Sequence, residues 1–195
     1  MSKAIIYHID TFTNRLFSGN PVAVVPLPSW LPEPLLQAIA TENNLSETAF
    51  FVHSSADESE HDFLIRWFTP TREVPLCGHA TLASAAALFQ KLGWHRDVIR
   101  FATRSVGLLR AFRDGATGIS LDFPAHPPVN AEPPARLATA LGRTPQAFLT
   151  SDAAEMTLAV LASAADVRAV TPDPTFIATL GGIVLNHYRA RGTWR

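Results

Sequence analysis

Two short stretches hold the side chains best suited to acid–base chemistry. The first is SETAFFVHSS, residues 46–55, in which Glu47 precedes an aromatic segment. A carboxylate between Ser46 and Thr48-Ala49-Phe50-Phe51 could lose hydration, which raises its pKa and suits a general acid or base. It could equally be a capping or edge glutamate on a solvated strand. The second is CGHAT, residues 77–81, at the start of an Ala-rich segment. First-turn N–H groups of a helix lack intrahelical acceptors and carry partial positive charge. The amides of Gly78, His79 and Ala80 could therefore receive a carboxylate or another anion, with Gly78 allowing close approach. His79 stands at the same mouth, where a further positive charge is disfavoured and a neutral imidazole could pass protons. Packing or capping is its alternative role. A helix N-terminus also favours a thiolate, but one cysteine cannot support a two-thiol mechanism, and Cys77 reads as a small packing residue. Asp10 and Asn20, near strand ends, either line a cleft or cap a turn, and the turn is the simpler reading.

Other chemistries find no residues. The chain has no Gly-rich phosphate loop and no dinucleotide fingerprint, and its histidines lack the spacing of a metal helix. A net charge of −1 across 195 residues argues against a nucleic-acid surface. No apolar run is long enough to cross a bilayer, and the N-terminus does not read as a secretory signal. A lone cysteine excludes an internal disulfide framework. With 47% hydrophobic residues the chain can bury a real core. These features predict a soluble, cytoplasmic protein with no metal, nucleic-acid or membrane partner.

The candidate residues must be held by the elements around them. AIIYHIDTF reads as a strand, and FSGNPVAVV as a turn followed by a strand at Val22–Val25. LPEPLLQAIATENNLS reads as a helix that opens on prolines and closes at Asn43–Asn44. Strands follow at about Glu47–His53 and at FLIRWF, and two prolines predict an extended passage from Thr69 to Pro75. Residues 78–92 form an almost wholly apolar helix, closed by Gly93 at C′, which must be buried on most sides. DVIRFAT, SVGLLRAFR and GISLDFP supply more strands around it, with a turn at Asp114–Gly115. The expected unit, residues 1–125, is a sheet wrapped around this central helix. HPPVNAEPPARL reads as a linker. Residues 126–195 then give a helix at Ala135–Leu141, the strand MTLAVLAS, a helix near Pro172–Leu180 and the strand GIVLNHY, without a buried helix of their own.

DTFTNRLFSGNPVAVV, LSETAFFV and IRWFTPTREVPLCGHATLASA resemble, in order and spacing, the PhzF-like family of isomerases from phenazine biosynthesis. The likeness spans most of residues 1–125 and is looser beyond. It implies an α+β, diaminopimelate-epimerase-like fold: two pseudo-symmetric halves, each a mixed sheet rolled around a helix, with the active site between them. It also implies isomerisation without metal or organic cofactor, the phenazine member acting on a dihydro-hydroxyanthranilate. By that resemblance Glu47 is the catalytic glutamate, which lifts a proton from a ring carbon and returns it elsewhere, turning an enol-type system into a ketone. His79 is the second catalytic residue, with Asn20, Gly78, His79 and Ala80 binding a small carboxylate substrate. A homodimer is common in the family. Family members carry a Glu-Asp-Pro-Val-Thr-Gly-Ser-like motif in the second half, and this sequence ends before one; Asp152 and Asp173 do not sit in it. The second half is therefore expected to be incomplete. The alternatives are a truncated, catalytically impaired relative and a non-enzymatic small-anion-binding protein.

Overall fold

The computed structural model describes residues 4–54, 60–115, 118–152 and 156–187. The chain divides into two compact units, Met1–Pro124 and Ala125–Arg195.

The first unit is built on one mixed sheet. Its strands are β1 (Tyr7–Thr11), β2 (Asn20–Leu27), β3 (Thr48–His53), β4 (Phe63–Phe68), β5 (Glu73–Val74), β6 (Val98–Ala102), β7 (Leu108–Asp114) and β8 (Gly118–Asp122). They lie in the order β1-β2-β3-β4-β6-β7-β8, with β5 paired to β4. The pairs β2–β3 and β4–β6 are parallel and the rest antiparallel. Period-two alternation sends the residues of the central strands to two different cores. Val22, Val24, Ala49, Phe51, Ile65 and Trp67 share one cluster with the helix α2 (Gly78–Gln90). Val25, Leu27, Phe50, Val52 and Phe68 face the other way, onto Leu36 and Ala40 of α1 (Glu33–Asn43). With both faces covered, β3 has no solvated side before His53.

α1 opens with Pro32 at its N-cap and closes on Asn44 in the left-handed region, whose N–H reaches the Ala40 carbonyl at 3.2 Å. α2 buries Ala80, Thr81, Ala83, Ser84, Ala85, Ala87, Leu88 and Phe89. Small side chains let the sheet close around it. Its two hydroxyls turn back on the helix, Thr81 Oγ1 to the Cys77 carbonyl at 2.6 Å and Ser84 Oγ to that of Ala80 at 2.8 Å. Buried polar groups are thus satisfied locally. Lys91 caps the helix, which places Gly93 (φ 73°) one residue beyond the expected C′ position. The reversal there is closed by the Trp94 N–H on the Leu88 carbonyl at 3.0 Å.

The passage from Thr69 to Pro75 is not extended throughout, as its prolines suggested. The Thr69 hydroxyl accepts the N–H groups of Thr71 and Arg72, and the Thr69 N–H reaches the Arg72 carbonyl at 2.8 Å. That tight turn makes β4 and β5 a hairpin, with Phe68 opposite Glu73. It delivers the chain through Pro75 and Leu76 to the start of α2. At the other end of the β1–β2 connection, a Cβ on Gly19 would fall 2.3 Å from the Thr11 carbonyl oxygen, so only glycine fits there.

The second unit has a four-stranded sheet, ordered β12-β11-β10-β9: β9 (Val129–Asn130), β10 (Ala147–Ser151), β11 (Met156–Leu161) and β12 (Val184–His187). Its described helices, α3 (Leu137–Leu141), α4 (Ala164–Arg168) and α5 (Pro174–Ala178), have five residues each. Leu137, Leu141, Phe148 and Ala159 form its core. β9 lies inside the Pro-rich passage that read as a linker, where its alternation is too short to register. Tyr188 and the RARGTWR end fall outside the described residues. No helix among the described residues is long and apolar enough to cross a membrane.

Candidate active site

Glu47 sits one residue ahead of β3, and His79 is the second residue of α2. The sheet brings them together: Glu47 Oε2 lies 3.0 Å from His79 Nε2, with the side chains 20% and 14% exposed. Ser46 Oγ stands 3.2 Å from the same nitrogen, as donor or acceptor according to the tautomer. Glu47 Oε2 is buried, and the imidazole at 3.0 Å approaches it off the ideal hydrogen-bond line. On the other side of the ring, Cys77 Sγ lies 3.5 Å from His79 Nδ1.

The expectation that burial raises the Glu47 pKa is overturned. Hydrogen bonding from His79 holds the carboxyl below the ordinary carboxylate range, with help from Ser46 and Cys77, and outweighs the opposing effect of desolvation. Cys77 moves the other way. Burial first, and then the nearby Glu47 charge, push the thiol up to about 12, only partly offset by the backbone amides of Ala80 and His79. A helix N-terminus would ordinarily favour the thiolate; here desolvation wins, and the thiol keeps its proton.

The other candidates divide. Gly78 begins α2 and is half-buried, and a Cβ there would meet only the Phe123 ring, at 3.6 Å. Ala80 is fully buried, and its amide leans toward the Cys77 sulfur. No side chain caps α2. Asn20 begins β2 and takes the Thr11 hydroxyl on its backbone carbonyl at 3.1 Å. Among the described residues no hydrogen bond joins its side chain to Glu47 or His79. Asp10 caps a turn, accepting the Phe17 N–H at 2.9 Å. Glu47, Cys77 and His79 offer donor atoms within 4.8 Å of one another, a spacing that could admit a metal ion if the thiol gave up its proton. Ser46, to which the sequence assigns no role, and Cys77, which it marks only as a packing residue, complete the contacts of the ring. The signals were the Ser-Glu adjacency and the Cys-x-His spacing at a helix start.

The sequence from residue 9 to residue 189 matches the PhzC-PhzF family model, described as phenazine biosynthesis-like protein. The chain belongs to the PhzF-like family. It is 48% identical over 147 residues to an uncharacterized isomerase of Pseudomonas aeruginosa, covering 75% of this chain and 54% of that protein. It is likewise 48% identical over 148 residues to the human phenazine biosynthesis-like domain-containing protein, covering 73% of this chain and 51% of that one. A crystal structure of a PhzF-family protein from Enterococcus faecalis superimposes with a TM-score of 0.78 at 36% identity, over 92% of this chain and 66% of that chain. The PhzF-like chain therefore spans about half the length of these two curated relatives. The fold is α+β and diaminopimelate-epimerase-like, with a curled mixed sheet and helices.

Proposed function

We propose that Glu47 and His79 form the proton-transfer centre of a PhzF-like isomerase that acts, without metal or organic cofactor, on a small carboxylate-bearing metabolite. The observation that carries this reading is the 3.0 Å approach of Glu47 Oε2 to His79 Nε2 at the start of a buried helix. The lowered Glu47 pKa keeps the carboxylate ionised near neutral pH, so its resting form is a base. It accepts a proton from a substrate carbon made acidic by neighbouring unsaturation. The resulting carboxylic acid returns a proton to a different carbon, which moves the double bond and restores the carboxylate; where the first carbon carries a hydroxyl this leaves an enol, whose O–H proton then passes to carbon to give the ketone. Atoms and charge balance with no external reactant. Substrate that excludes water from Glu47 raises its proton affinity against the pull of His79. In the uncapped first turn of α2, the Gly78 amide offers a donor to the substrate carboxylate.

Glu47→Gln keeps the shape and removes the base. Assayed against a dihydro-hydroxyanthranilate and a panel of other small carboxylates with acidic C–H bonds, it should lose about 10²–10⁴-fold in turnover. Full turnover in Glu47→Gln would overturn the proposal. Carboxylate binding that depends on His79, without turnover of any compound by the wild type, would point instead to an anion-binding module.

A further inference from the structure

Both ring nitrogens of His79 have neighbours, and only one of the two neutral tautomers satisfies them together. A neutral imidazole carries one N–H and one lone pair. Nε2 faces Ser46 Oγ at 3.2 Å and a carboxylate oxygen, Glu47 Oε2, at 3.0 Å. Nδ1 faces the Cys77 sulfur at 3.5 Å. With the proton on Nδ1, the ring would donate to sulfur, a weak acceptor, and turn a lone pair toward an anionic oxygen 3.0 Å away. The Ser46 hydroxyl could then donate to Nε2 but could not remove that repulsion. With the proton on Nε2, the N–H faces Ser46 and Glu47, and Nδ1 needs a donor. Cys77 supplies it. The residue is 7% exposed and packed in the core beside Trp67 and Ala80, so its sulfur cannot swing away. Desolvation keeps the thiol protonated, and a protonated thiol is what a donor requires.

We propose that Cys77 is a positioning residue: its S–H donates to Nδ1 of His79 and fixes the imidazole with its proton on Nε2, toward Ser46 and Glu47. Its effect on turnover passes through the orientation of His79. The inference gives a role to the cysteine that opens α2, and it rests on the Glu47–His79 reading only for its effect on turnover. Its claim about the ring itself stands apart from catalysis. Glu47 also lies within reach of the one thiol proton, so the competing arrangement is donation to the carboxylate, which would leave Nδ1 free to hold the ring proton.

The test is the tautomer of His79, read from ¹⁵N chemical shifts and long-range ¹H–¹⁵N correlations in histidine-labelled protein at a pH where the ring is neutral. The His79 signals are assigned by their loss in His79→Gln. The wild type should show an unprotonated Nδ1 and a protonated Nε2. Cys77→Ala should lose that preference and shift toward a mixture, with turnover falling about tenfold at little change in KM. Cys77→Ser, which keeps a donor, should hold the wild-type pattern and recover most of the turnover. It also serves as the folded control if the alanine variant is unstable. A protonated Nδ1 in the wild type would overturn the inference, as would an unchanged tautomer in Cys77→Ala. Full turnover in Glu47→Gln together with the expected ¹⁵N pattern would instead sink the proposed reaction and leave the role of Cys77 standing.

Discussion

In Met1–Pro124 a thirteen-residue helix runs with eight residues buried, while the described helices of Ala125–Arg195 have five residues each, and α4 and α5 bury none. The two units show different ways of holding side chains. α2 is enclosed by Val22, Val24, Phe51, Ile65, Trp67, Ile99 and Phe101, so its first turn has little freedom to move. The groups at that turn inherit its rigidity, which is what proton transfer over a fixed distance needs. In the second unit charged groups sit at exposed helix ends, as in Arg136–Asp173 at 3.5 Å and Arg143–Asp166 at 3.8 Å. Such pairs contribute little and fix little.

The contrast can be broken by truncating one large side chain in each core. Trp67→Ala, at a residue 1% exposed, should cost about 3–5 kcal/mol. Phe148→Ala should cost less, because most of its neighbours are only partly buried and can close in. Urea unfolding combined with amide exchange of α2 and β10 would measure both. Equal losses would erase the distinction between the units.

Next in size is Asp62, which is buried and joins the end of β4 to β6. Its carboxylate accepts from the Arg100 N–H at 2.8 Å and from the Arg100 guanidinium at 2.9 and 3.1 Å, with Arg96 at 3.3 Å. Asp62→Asn should cost about 1.5–3 kcal/mol in a denaturant titration. Burial raises the Asp62 pKa, but the side-chain and backbone hydrogen bonds of Arg100 and the two guanidinium charges outweigh it, so the net shift is downward from 3.8. A folded-state pKa below the unfolded one gives stability that is complete above the unfolded value and is lost as pH falls through the folded value. The difference in stability between wild type and Asp62→Asn should therefore stay level from about pH 7 to about pH 5 and shrink only below 3.8. A difference that shrinks near neutrality would contradict this.

The smallest effect belongs to the second unit. Asp173 caps α5, accepting the N–H groups of Thr175 and Phe176 at 3.0 and 3.2 Å. Asp173→Ala should cost about 0.5–2 kcal/mol, seen as faster exchange within α5 while α2 is unchanged.

Much of the first unit was legible from the chain. Prolines mark where α1 begins, Asn44 where it ends, and unbroken Ala-rich sequence marks α2 as buried. Elements set by particular hydrogen bonds rather than by residue type were not legible. The Thr69–Arg72 turn depends on a hydroxyl folding back on two amides, whereas its prolines alone read as extended. β9 has two residues and is defined only by its pairing with Leu149 and Thr150. For the site, types and spacing single out Glu47 and His79 as candidates, and the sheet brings them within 3.0 Å of each other. The direction of the Glu47 shift was missed, because the imidazole that decides it arrives from a different element. Cys77 was read as packing, which it is, but its contact with Nδ1 appears only once the helix start is folded.

The most direct test of the account is solvent labelling. Wild-type protein is incubated in D₂O with a carboxylate that it turns over, and deuterium at each substrate carbon is followed by NMR, alongside Glu47→Gln. The receiving carbon should gain hydrogen, as deuterium wherever the Glu47 carboxylic acid exchanges with solvent before returning its proton, at a rate that falls about 10²–10⁴-fold in the variant. Equal labelling by Glu47→Gln and wild type would contradict it.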